Sequence, residues 1–397
     1  MNRRQAIKTT FTAAAVASVL RPGILAAQET PPKPAAVEAN TIYLNPATGA
    51  DTNSGAKDKP LRTLAEAARR ANQADGTGPM TVILSEGVYA VGETTLLTPA
   101  HRSFSKTDRL TIRAEVFPDD PEWHIGRMPT LIHTIPLDGT WNGRRDPMGG
   151  AANGILVETS HVTIQGLKLL GMPVVESPKP GLKRRLYAIA RLRRELEDVQ
   201  VAQCMFVGDE VIAPCHVGII ANGNGGVVHH CILRGFMKDP VVFWTPGSTG
   251  HAMRNCLFHG TYGSTVWTSG IADDFDYRNN IVDGCNYVWI YQGRASTRAD
   301  ASGGRAQLPD GSQARPQEGN HYKVVDSLFA NIKKLAGTGA RIEFADIDPS
   351  FLEMVGTKVS AQPVVLERDQ AKRSYLQPVA GSEAAKTGAG LLLKPAE

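Results

Sequence analysis

Four residues that each precede a glycine, Val207, Arg234, His259 and Asp283, lie 27, 25 and 24 residues apart. If successive stretches of the chain stack as strands, this spacing sets a cation, an imidazole and a carboxylate in one column, about 5 Å apart. Groups of these types move protons and stabilise developing charge. A second set lies just beyond the glycines: Asp209-Glu210, Lys238-Asp239 and Tyr262. Further on, Asp273, Asp274 and Asp276 put three carboxylates within four residues, and Arg294 opens a long polar stretch, 294–320.

Two reactions on sugars use such parts. In β-elimination, a Lys, Arg, His or Tyr removes the proton α to a uronate carboxyl group, while a cation or Ca²⁺ stabilises the enolate. Lys238, His259 and Tyr262, with Arg234, are candidates for those roles. In hydrolysis, two carboxylates flank the glycosidic bond at about 5–5.5 Å or 6.5–9.5 Å, and Asp273 and Asp274 are candidates, while Asp283 is a catalytic candidate through its column with Arg234 and His259. The acidic cluster is also a candidate Ca²⁺ ligand set through its oxygens. It matches no Ca²⁺ loop pattern, and carboxylates of a tight surface turn explain it equally well. No cofactor is otherwise called for.

Aromatic residues recur beside these groups. HVGIIANG (216–223), VVFWTPG (241–247), STVWTSG (264–270) and YVWIYQG (287–293) align on their glycines. That alignment stacks Ile220, Trp244, Trp267 and Ile290 in one column, and Ile219, Phe243, Val266 and Trp289 in the column before it. The column after ends in Tyr291. Alternation along a strand sends one of the adjacent columns outward. Exposed rings at strand spacing suit the apolar faces of sugars, so the substrate platform is either Trp244/Trp267 or Trp289/Tyr291, extended by Arg294. The alternative is that the Trp pair fills the interior.

Positioning these groups requires a repeat, and the chain has one. VTIQGLKLLG (162–171), VQVAQCMFVG (199–208), GVVHHCILRG (226–235), HAMRNCLFHG (251–260), FDYRNNIVDG (275–284) and YKVVDSLFAN (322–331) superpose. Their third positions are apolar or aromatic (Ile164, Val201, Val228, Met253, Tyr277, Val324), as are their eighth (Leu169, Phe206, Leu233, Phe258, Val282, Phe329). Fixed apolar columns on either side of a polar corner predict short strands stacked coil on coil. No heptad or 3.6-residue stripe runs through the copies.

The corner pattern of these copies resembles that of the right-handed parallel β-helix family, the pectate-lyase-like superfamily. YLNPATGADTNSGAKDKPLRTLAEAARRA (43–71) looks like the opening of bacterial proteins of this type. DIDPSF (346–351) and YLQPVAGSEAAKTGAG (375–390) resemble its closing segment, with Glu383 where proline is usual. The resemblance implies an all-β fold: a right-handed parallel β-helix over 41–397, with an N-terminal cap helix. It also implies a substrate groove along the strands that carry the aromatics. It does not choose an activity, since the fold carries lyases, hydrolases and non-catalytic proteins. The paired Asp273-Asp274 resembles that of β-helix polygalacturonases, but their accompanying motifs are absent here.

Residues 1–27 have the layout of a signal peptide, and Arg3-Arg4-Gln5-Ala6-Ile7-Lys8 looks like a twin-arginine signal, which implies a periplasmic or secreted protein. Residues 28–40, with three prolines, read as a linker. No stretch reaches the ~18 apolar residues of a membrane span. Net charge is +4 with no basic stripe, so nucleic acid is not an expected partner. Strands are expected at 80–89, 110–114 and 130–133. The segment 173–198, with seven Arg and Lys between Lys179 and Arg194, reads as an inserted amphipathic helix. The stretch 294–320 reads as a lid or a disordered excursion.

Of five cysteines, Cys204, Cys231 and Cys256 share the sixth repeat position with Leu167, Asn280 and Ser327. Stacked side chains with parallel Cβ vectors make poor disulfide geometry, so these predict a buried small-residue ladder. Cys215 and Cys285 fall outside it, with nothing to say whether they pair. The expected function is that of an exported carbohydrate-active protein. A lyase acting on an acidic polysaccharide is placed first, because the repeat positions cations, His and Tyr better than a carboxylate pair. A glycoside hydrolase and a non-catalytic glycan-binding or envelope scaffold remain as alternatives.

Overall fold

The computed structural model describes residues 40–141, 143–146, 149–173, 185–209, 213, 215–236, 238–292, 320–340 and 343–393. Its strands form three long sheets of ten, nine and nine strands, wound as a right-handed parallel β-helix. Each coil visits a first-sheet strand, turns a sharp corner into the second sheet, then crosses a loop to the third. The first sheet runs from Thr41–Leu44 to Leu352–Val355, and the second from Val88–Val91 to Lys358–Ser360. In the third, pairing is parallel until Lys334–Ala340 meets Glu343–Asp346 antiparallel.

Register shows why the repeat folds this way. In the first sheet Ile112, Ile164, Val201, Val228, Met253, Tyr277 and Val324 lie opposite one another in successive strands. In the second, Leu169, Phe206, Leu233, Phe258, Val282 and Phe329 do the same. All of these lie in one continuous core at 0–1% exposure. Burying each such side chain is worth about 1.5–3 kcal/mol.

The corner between the first two sheets needs one left-handed residue per coil. Gly166, Gln203, His230, Asn255, Asn279 and Asp326 supply it, with φ between 45° and 76°. Most are glycine, Asn, Asp or His, the types that tolerate this region best. The next residue points inward as the expected ladder. Cys204, Cys231 and Cys256 are fully buried, and each thiol faces a carbonyl of the preceding coil at 3.6–3.7 Å. Asn280 continues it, accepting from Cys256 N at 2.9 Å and donating to the Met253 carbonyl at 2.9 Å. All five cysteines are free and buried, so Cys215 and Cys285 do not pair.

At the start, the helix Leu64–Gln73 is capped by Thr63, whose hydroxyl accepts from Glu66 N at 3.2 Å. Its buried face (Leu64, Ala67, Ala68, Ala71) joins the core. At the other end the chain turns back. Leu366, Leu376, Ala384, Ala389 and Leu391 cover the outer column Met205, Ile232, Leu257 and Ile281 of the second sheet.

The helix expected in 173–198 is not what forms. Residues 174–184 lie outside the described set, while Leu186–Arg191 is a third-sheet strand and Glu197–Ala202 a first-sheet strand. Tyr187 and Ala190 pack in the outer apolar cluster, whereas Leu186, Ala188 and Ile189 pack in the core. The outward residues are therefore three apart, and this local departure from alternation imitates a helical period. All six residues of the strand are buried, as in a strand covered on both faces.

Candidate functional site

Arg234, His259 and Asp283 do lie opposite one another on adjacent second-sheet strands. His259 Nδ1 donates to Asp283 Oδ2 at 3.0 Å, which orients the ring and makes Nε2 the lone-pair nitrogen of the neutral imidazole. Asp283 is 1% exposed, and its other oxygen accepts from Val364 N at 3.2 Å. This column belongs to the outer face of the second sheet and is tied to the returning C-terminal segment. It is not on the sheet that carries the aromatics.

The aromatics converge on the outer face of the third sheet. Trp141, Tyr187, Trp244, Trp267, Tyr287 and Phe344 form one cluster with Val217, Ile220, Val242 and Ile290. Trp141 stacks on Tyr187 at 5.2 Å, and Trp244 meets Trp267 edge to face at 5.0 Å. The indole Nε1 atoms of Trp141, Trp244 and Trp267 are buried and have no hydrogen-bond partner among the described residues. The two tryptophans are not in one column, however. Val242 lies opposite Trp267, and Trp244 follows the end of its strand. Alignment on the glycines misplaced it because Thr245-Pro246 lengthens that turn by two residues.

The other expected pair faces inward. Trp289 is fully buried, stacks on Tyr322 at 5.1 Å and donates from Nε1 to Thr268 Oγ1 at 2.8 Å. Tyr291 is 1% exposed and contacts Asn320 Oδ1 at 3.2 Å. Neither can serve as a surface platform. Two consecutive residues, Val288 and Trp289, both join the core, so strict alternation assigns the faces wrongly here.

Lys238 and Asp239 sit in the loop that leads from the second sheet into this aromatic face. Lys238 Nζ lies 3.8 Å from the centre of the Trp267 ring, a cation–π contact, and 3.9 Å from Asp239 Oδ2. Asp239 Oδ1 accepts from the backbone N and the hydroxyl of Ser264, at 2.9 and 2.7 Å. Burial raises the Asp239 carboxyl above its ordinary range, with Lys238 and Ser264 opposing that shift. The turn of the next coil stacks on this loop, since Tyr262 N donates to Phe236 O at 2.8 Å and Gly263 N to Lys238 O at 3.2 Å. Tyr262 itself is 46% exposed. Close stacking of the loops depends on glycine: a Cβ on Gly235 (φ 68°) would lie 2.1 Å from the Gly208 carbonyl oxygen.

The acidic run lies at the opposite end of the third-sheet strands and does not converge. Asp273 Oδ1 accepts from Asn320 Nδ2 (3.1 Å) and His321 N (3.3 Å), and Asp274 Oδ2 from Gly250 N (2.8 Å). Asp276 pairs with Arg254 and Arg278. Among the described residues, no group of three or more His, Cys, Asp or Glu side chains is arranged to hold a metal ion. Arg294 and the expected lid lie outside the described residues.

Ser248 and His251 look like a nucleophile and base, with Oγ 2.8 Å from Nε2. The wiring says otherwise. His251 Nδ1 accepts from Gly226 N, so Nε2 carries the proton and donates to Ser248, which in turn donates to the Thr245 carbonyl. Both residues are buried and serve the turn. Sequence reasoning missed Trp141, Tyr187, Tyr287 and Phe344 as members of the aromatic face. Tyr187 had a usable signal, since it falls just before a buried apolar run like Val217 in the next coil.

No family model matches the chain, and no curated protein matches it. Among solved structures it is similar to a rhamnogalacturonan lyase, at 12% identity and TM-score 0.46, over 88% of this chain and 99% of the other. It is also similar to pectin methylesterase PemA from Erwinia chrysanthemi (12% identity, TM-score 0.42, 89% and 98% of the two chains). A pectin methylesterase from Aspergillus niger gives 11% identity and TM-score 0.43 over 89% and 94%. The assignment of a β-helix rests on the three parallel sheets of this chain itself.

Proposed function

We propose that this protein is exported and acts on an acidic polysaccharide along the outer face of the third sheet, by β-elimination. The observation that carries the reading is Lys238, held over Trp267 at the head of the aromatic cluster. Trp267 and Tyr187 are 5% and 3% exposed, so the half-buried Trp141, Trp244 and Tyr287 are the rings that offer a face to the apolar side of a sugar. An ammonium beside them suits a uronate carboxylate and the charge that builds on it as the α proton leaves.

In that reaction the C5 proton passes to a base, the C4–O bond breaks, a C4=C5 double bond forms, and the departing oxygen takes up a proton. Tyr262, on the turn stacked against the Lys238 loop, is assigned as the base. The N-terminal sequence supports export, and no described helix is long and apolar enough to cross a membrane.

One observation favours a second reading, a glycan-binding protein without catalysis: the Arg234–His259–Asp283 column is on a different sheet from the aromatics. A single assay separates the two. The full protein is incubated with pectate, alginate, glycosaminoglycans and neutral glycans, with and without Ca²⁺, while absorbance near ~235 nm and reducing ends are followed. Reducing ends with new absorbance are expected. Reducing ends without absorbance would mean hydrolysis, and neither signal, with the protein retarded by one of the same glycans in affinity electrophoresis, would leave the second reading.

A further inference from the structure

The two ends of this solenoid are finished differently. The first coils carry a helix whose apolar face joins the core. At the far end, Leu352–Val355 and Lys358–Ser360 are the last strands of the first and second sheets, and no described strand pairs with their outer edges. The core columns run out into water there. Tyr277 and Val324 are fully buried, but Met354, next in their column, is 41% exposed. Phe329 is fully buried, and Val359, opposite it, is 55% exposed.

Repeat arrays require polar terminal caps, because an exposed final rung is an apolar patch. A bare strand edge adds a row of unpaired amides and carbonyls that templates further pairing. Here the same strand offers both. Its flanks carry charges of both signs, Glu353 beside Lys323 and Lys358 beside Glu383. Because these charges are paired within the chain, a second copy related by a two-fold axis meets this end without net like-charge repulsion.

We propose that this end is a self-association surface on which a second copy of the chain docks end to end, with Leu352–Val355 pairing antiparallel to its own copy. Register follows from the side chains. Slipping by one residue would turn Met354 away from the joined cores. A register centred on Glu353 would set like charges opposite each other, which destabilises a pair. Centring on Met354 keeps the inward faces continuous, places Met354 against Met354 of the second copy, and sets Glu353 opposite Val355. The exposed end of the core is then covered, and the free edge of Leu352–Val355 is paired in each copy.

Light scattering after size-exclusion chromatography of the full chain is expected to give twice the 42.7 kDa chain mass. The double substitution Met354→Glu, Val359→Glu is expected to give a monomer with an unchanged circular dichroism spectrum. Met354→Cys keeps the test sharp if that variant folds poorly. It should form a disulfide-linked dimer under mild oxidation, and Glu353→Cys should not. The five native thiols are buried and do not interfere. A wild-type monomer at tens of micromolar, or a Glu353→Cys dimer without a Met354→Cys one, would overturn the proposal.

Discussion

The ammonium of Lys238 lies 3.8 Å from the centre of the Trp267 ring, with the Lys238 side chain only 5% exposed. A desolvated cation–π contact is worth about 2 kcal/mol. If a uronate carboxylate docks here, Lys238→Met removes its hydrogen bond to a charged partner, worth about 1.5–3 kcal/mol, and should weaken binding of an acidic oligosaccharide by roughly 10- to 100-fold. Trp267→Ala should do as much, and Trp267→Phe less. Titration calorimetry with the oligosaccharide that the substrate panel identifies would read this. Unchanged affinity in both Lys238→Met and Trp267→Ala would remove the outer face of the third sheet from consideration.

Asp239 next to that lysine makes a pH prediction. Its carboxyl is raised in the folded state, chiefly by burial. The folded protein therefore holds this proton to higher pH than the unfolded chain does. Stability from this group is full below the ordinary carboxylate pKa and is lost as pH rises through the raised value. Asp239→Asn keeps an oxygen for Ser264 N and Oγ but removes the titration. Wild type should lose stability relative to Asp239→Asn as pH rises above about 4. Urea midpoints of the two proteins across this range would show it, and a constant difference would count against a raised carboxyl.

Fold and site differed in how far they could be read from sequence. The corner ladder Leu167, Cys204, Cys231, Cys256, Asn280, Ser327 was legible because the corner has fixed length, so one residue recurs in phase and every column follows. Turns on either side of the third-sheet strands vary in length from coil to coil, and there the phase is lost. Trp244 was set beside Trp267 on the strength of a glycine that a two-residue-longer turn had displaced. Trp289 was open to either face because Val288 breaks the alternation. The column Arg234, His259, Asp283 was correct in register, yet sequence could not say which wall of the coil it lies on. Tyr187 was hidden by a strand that imitates a helix.

The cysteine ladder predicts silence followed by full reactivity. All five thiols are buried, and desolvation pushes Cys285 up to about 11 and Cys231 and Cys215 well above their ordinary value. Thiolate is the reacting species. Native protein should therefore show no thiol reactive to a disulfide reagent at pH 8, and five should appear in guanidinium. One fast-reacting thiol in the native protein would contradict the packing of that coil.

Asp283 joins two parts of the chain that sequence holds far apart, through His259 Nδ1 on one oxygen and Val364 N on the other. The second contact fixes the start of the segment whose Leu366, Leu376 and Leu391 cover the second sheet. Asp283→Ala leaves the Val364 amide without its acceptor, a loss of about 1–3 kcal/mol. Little of that should reach the coils, whose ladders are separate. The expected result is faster amide exchange across 364–393, with the strands Val162–Gln165 and Asn224–His229 unchanged. Asp283→Asn should behave nearly as wild type, because its carbonyl oxygen still serves Val364 and its amide faces the imidazole in the other tautomer. If Asp283→Ala leaves exchange in 364–393 unaltered, the segment is held by its apolar contacts alone, and Asp283 is there for His259.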